Sequence, residues 1–147
     1  MTDRRGQRGM SLIEVLVALL ILGVGLLGAA AVQLKALKYT DSARMASQAS
    51  FVAYDMLDRI RANAGADYSV PTPAAGNLEQ ARDQDLYDFA SNIASFGGPT
   101  ATGSISVNQR LYTITVTWDD TRAGGAAEAQ RSFVLSSRVA VDEPGQP

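Results

Sequence analysis

A charge-free apolar run near the N-terminus constrains this chain most, because a carboxylate interrupts its first turns. The run begins Met10-Ser11-Leu12-Ile13-Glu14 and continues from Val15 to Val32 without a charged side chain. Those eighteen residues are enough to span most of a bilayer core as a helix. An ionised carboxylate within such a segment costs about 3 kcal/mol on insertion scales, so it requires a partner or a function. Ahead of the run stands Met1-Thr2-Asp3-Arg4-Arg5-Gly6-Gln7-Arg8-Gly9, whose side chains sum to +2. Basic charge ahead of an apolar segment keeps that end cytoplasmic and exports the remainder of the chain.

Composition narrows the class. A chain of 147 residues with 46 % hydrophobic content suits one domain plus one membrane segment. It has no cysteine and no histidine. That excludes a disulfide framework and thiol chemistry, and removes the commonest general base and metal ligand. Net charge is -2, and the residues after the leader carry 10 basic against 14 acidic side chains. No basic patch is present, so nucleic acid is not an expected partner.

The N-terminus admits three readings. A secretory signal would be cut near Ala29-Ala30-Ala31, but its core is usually shorter and free of acid. An ordinary transmembrane anchor leaves Glu14 equally unexplained. The third reading is a leader cut before the apolar segment, which stays in the mature protein. Gly9-Met10-Ser11-Leu12-Ile13-Glu14-Val15 resembles the class III signal of type IV pilins and type II secretion pseudopilins. The resemblance implies that a prepilin peptidase cuts between Gly9 and Met10 and N-methylates Met10. Met10 stands where the family usually carries phenylalanine, a mild change between large apolar residues. The resemblance also implies subunit docking through Glu14, its carboxylate pairing with the α-amino group of a neighbouring subunit. In lipid such a pair acts as a register key, because an unpaired charge there is costly. The alternative is that Glu14 pairs with its own Met10 terminus or reaches the headgroups.

The helix has no stop at the end of the apolar run. Met45, Ala49, Val52, Met56 and Ile60 recur at helical spacing, and Asp41, Arg44, Asp55, Asp58, Arg59 and Arg61 fill other faces. One helix over 11–63 is expected, with Gly65 as its stop. The stripe from Met45 to Ile60 is the expected packing face of a globular head. Gly23, Gly25 and Gly28 sit where helix interiors rarely hold glycine, and small residues let membrane helices approach closely. The stretch from Leu16 to Gly28, with Gln33 and with Asp55-Met56-Leu57-Asp58-Arg59-Ile60-Arg61-Ala62-Asn63, is similar to the minor pilins called type IV pilus modification protein PilV. That likeness covers roughly the first 63 residues.

The head reads as a loop over 67–77 and a helix over 78–95 carrying Leu86, Phe89, Ala90, Ile93 and Ala94. Strands are expected over 103–107, 111–118 and 130–141. In the second, Tyr112, Ile114, Val116 and Trp118 alternate with Thr113, Thr115 and Thr117. Phe133, Leu135, Val139 and Val141 share one face of the third. The expected fold class is α+β: a long N-terminal helix, transmembrane in its first half, packed by its C-terminal half on a small antiparallel sheet, as in type IV pilins. The expected organisation is a leader over 1–9, a membrane or filament-core helix over 10–32, its amphipathic continuation over 33–63, and a head over 64–147.

No catalytic site, cofactor site or metal site is expected. Asp83, Asp85 and Asp88 read as a solvated face, since calcium wants six to eight oxygen ligands in a tight loop. Asp119-Asp120 reads as a turn. Ser136-Ser137 lacks a histidine to activate it. By resemblance, the chain is a minor pilin that primes pilus assembly and supports adhesion and twitching motility. The implied partners are prepilin peptidase, the other minor pilins, the major pilin, a tip adhesin and the inner membrane. The implied location is inner membrane with a periplasmic head, then the extracellular pilus. The alternatives are a minor pseudopilin of a type II secretion system and a membrane-anchored periplasmic binding domain or enzyme.

Overall fold

The computed structural model describes residues 11–69, 79–121 and 129–140. Gly9, Met10, most of the 67–77 loop, Leu78 and Val141 lie outside them. The elements run in the order α1 (Leu12–Ala62), α2 (Ala81–Gly97), β1 (Thr102–Asn108), β2 (Leu111–Asp119) and β3 (Gln130–Arg138). The α+β, pilin-like class expected from the sequence is therefore the observed one. Two compact units divide the chain between Lys38 and Tyr39.

In the second unit, α1 buries Met45, Ala49, Ala53, Met56, Leu57 and Ile60. This differs slightly from the expected stripe. Ala53 and Leu57 lie at its centre, and Val52 is only half-buried at its border. The same core takes Leu86, Phe89 and Ile93 from α2 and Tyr112, Ile114, Val116 and Trp118 from β2. Phe96 meets Trp118 edge-on, with ring centroids 6.3 Å apart. Burial of these side chains at about 25 cal/mol per Å² of apolar surface is the main force holding α1, α2 and the sheet together.

The sheet is an antiparallel meander in the order β1-β2-β3. Ile114 faces Ile105 on one side and Leu135 on the other, so the alternation of β2 fixes the inward face of all three strands. The outer face is hydroxyl-rich, and the Thr113 and Ser136 hydroxyls lie 3.0 Å apart across it. A two-residue turn joins β1 to β2. Gln109 and Arg110 both have positive φ, 48° and 68°, as a type I′ turn demands.

The third strand was expected to reach 141 but ends at Arg138, because Arg138 pairs with Leu111, the first residue of β2. Past that point no strand pairs with it among the described residues; the Val139 N–H instead donates to the Arg110 carbonyl at 3.0 Å. Val139 is still buried, as the alternation predicts. The second helix was expected over 78–95 and instead runs to Gly97, with Gly98 at φ 80° ending it.

Candidate functional site

The helix α1 starts at a capped turn. Ser11 precedes its first residue, and the Glu14 N–H donates to the Ser11 carbonyl at 3.0 Å and to Ser11 Oγ at 3.3 Å. Ser11-x-x-Glu14 has the residue types of a capping box, with serine at the N-cap and glutamate three positions on. The sequence reading missed this role of Ser11, although the spacing was legible. Glu14 stands in the first turn and is exposed, where a carboxylate also complements the positive end of the helix dipole. Glu14 thus lies in the capped first turn of α1, at the boundary of the apolar run. The expected relation between Glu14 and the α-amino group of Met10 lies outside the described residues, as does the Gly9–Met10 bond.

Beyond Glu14, α1 meets the length and composition of a membrane span. Its large apolar side chains in the first unit are exposed, Leu12 at 79 % and Leu27 at 72 % among them. Gly23, Gly25 and Gly28 have nothing within 4 Å of a would-be Cβ. Each therefore leaves room for something outside this chain to approach the backbone. An exposed apolar helix of this length is stable only against lipid or against other apolar helices.

Within the second unit the acidic residues of α2 behave differently from expectation. The expected solvated face is an ionic contact with α1. Arg59 Nε donates to Asp55 Oδ2 at 2.9 Å, and Nη1 donates to Asp85 Oδ1 at 2.9 Å and Asp88 Oδ2 at 3.1 Å. Asp85 first, and then Asp55, hold the guanidinium pKa well above its usual value. The Tyr68 hydroxyl donates to Asp85 Oδ2 at 2.7 Å, and Asn63 Nδ2 donates to the Tyr68 hydroxyl at 3.4 Å. Burial, then the bond to Asp85, pushes the Tyr68 pKa up to about 12. Asp83 is buried beside Arg82 at 2.8 Å. Asp120 is no simple turn residue either. It is 4 % exposed, accepts from Ser42 Oγ, and pairs with Arg131 at 3.3 Å, tying the end of β2 to α1. Ser137 accepts from Arg61 Nη2 at 3.2 Å.

These polar groups are spent on one another and hold the elements together. Among the described residues, no group of three or more acidic side chains is placed to hold a metal ion.

Residues 4–30 match the family model described as the prokaryotic N-terminal methylation motif. No curated protein and no solved structure matches the chain. The matched segment contains the leader arginines, Gly9, Met10, Ser11 and Glu14 together. Such a motif implies processing by a prepilin peptidase and assembly with pilins in a membrane, and points to a structural protein rather than an enzyme. The first thirty residues therefore carry a prepilin-type methylation motif, which supports a type IV pilin-like protein, either pilin or pseudopilin.

Proposed function

We propose that this chain is a minor type IV pilin, of the kind called type IV pilus modification protein PilV. Prepilin peptidase removes residues 1–9 by cutting between Gly9 and Met10 and methylates Met10. The mature helix over 10–32 then lies in the inner membrane with residues 33–63 continuing it and the head, 64–147, in the periplasm. There the chain joins the other minor pilins and the major pilin in a priming complex, and passes into the extracellular pilus beside a tip adhesin. Adhesion and twitching motility depend on it through assembly.

The observation that carries this reading is Glu14. It sits in the capped first turn of a 51-residue helix whose apolar half is uncovered, inside a matched methylation motif. A carboxylate there gains most by meeting a cation on a neighbour, and cleavage before Met10 makes that cation. A substitution at the cut tests the reading. Gly9→Ala is expected to leave the precursor unprocessed, seen as a slower-migrating band on a gel. Normal migration of the mature form would contradict it. Capture of secretion pseudopilins instead of minor pilins by the mature chain would assign it to a type II secretion system.

A further inference from the structure

The span has a second boundary, on the exported side. Counted to its far charge, the charge-free run extends from Val15 to Leu34, twenty residues between Glu14 and Lys35. At 1.5 Å per residue that is about 30 Å, the thickness of a bilayer hydrocarbon core. All of it belongs to α1, without a break. Lys38 lies three positions after Lys35, so the two ammonium groups leave neighbouring positions on one helix face. Lysine lays its alkyl stem along apolar surface and carries its charge outward to phosphate. The first acid after them, Asp41, has Arg44 at 3.9 Å. The leader still holds three arginines, so orientation is not reversed by this pair.

We propose that Lys35 and Lys38 anchor α1 at the exported face of the membrane by binding the phosphates of phospholipid headgroups. They fix the depth of the span and so hold Glu14 at the opposite edge of the hydrocarbon. This rests on the reading of the first half of α1 as a membrane span. Without the two charges, the uncharged run would continue to Thr40, and the helix would be free to sink or tilt.

The absence of cysteine makes the test direct, because one introduced thiol is unique. Full-length chains carrying Leu20→Cys or Leu37→Cys are produced in a host without pilus machinery. Spheroplasts are treated with a membrane-impermeant maleimide, and each labelling rate is divided by its value in detergent. Leu37→Cys is expected to label and Leu20→Cys to stay protected. Adding Lys35→Leu and Lys38→Leu is expected to slow labelling at 37 about tenfold, while Lys35→Arg and Lys38→Arg preserve it. Unchanged labelling at 37 in the leucine variant would overturn the anchor. Labelling of Leu20→Cys in intact spheroplasts would instead overturn the membrane span itself.

Discussion

Glu14 has a local and a proposed distant relation, and they are separable. Its backbone N–H belongs to the Ser11 cap, which a change of side chain leaves in place. Its carboxylate is what a neighbouring subunit would read. Glu14→Ala is therefore expected to preserve cleavage after Gly9 and to lower incorporation into sheared pili by about tenfold or more, consistent with the cost of an unpaired charge in lipid. Quantitative immunoblotting of the pilus fraction checks this, and wild-type levels would refute docking through Glu14. Tyr68 makes a prediction of another kind. Its folded pKa is raised to about 12 from 10, so the folded state favours the protonated phenol. That contribution is complete below pH 10 and is lost as pH rises through 12, by roughly 1–2 kcal/mol. Thermal unfolding of the detergent-solubilised chain between pH 8 and 12, a range set by that shift, is expected to show this loss. Tyr68→Phe is expected to flatten it.

The sheet and α2 meet closely at one glycine. Gly103 lies on β1 opposite Val116, on the inward face. A Cβ there would overlap the Phe89 ring and Ile93 Cδ1 of α2. Gly103→Val is expected to destabilise the head by about 1–3 kcal/mol through overpacking, read as a lower midpoint in denaturant; an unchanged midpoint would refute that contact. Element boundaries show what the sequence could and could not convey. The Tyr112–Trp118 alternation and the Met45–Ile60 period were legible because each is a property of one element alone. The end of β3 was not, because it depends on where β2 begins. The β1–β2 turn was not, because Gln109-Arg110 lacks the Asn-Gly chemistry that marks a type I′ turn. The contact of Arg59 with Asp85 and Asp88 depends on how two helices align across 26 and 29 residues of sequence. Local composition therefore made those aspartates look solvated.

At the scale of the whole molecule, the chain divides its chemistry. Among the described residues of the second unit, ion pairs of Arg59 fasten α1 to α2 and the Ser42–Asp120 hydrogen bond ties α1 to the end of β2, whereas in the first unit the apolar stretch of α1 is uncovered, with Glu14 at its start. That arrangement suits a subunit completed by lipid and then by other subunits. The N-terminal methylation motif was legible from Gly9 and Glu14, whose spacing belongs to a short contiguous segment. The proposed processing turns the start of the apolar helix into a new N-terminus. Mass analysis of the N-terminal peptide of the mature protein tests it most directly. A peptide beginning at Met10 and carrying one methyl group is the predicted result. A peptide beginning at Met1, or after the Ala29-Ala30-Ala31 triplet, would contradict it.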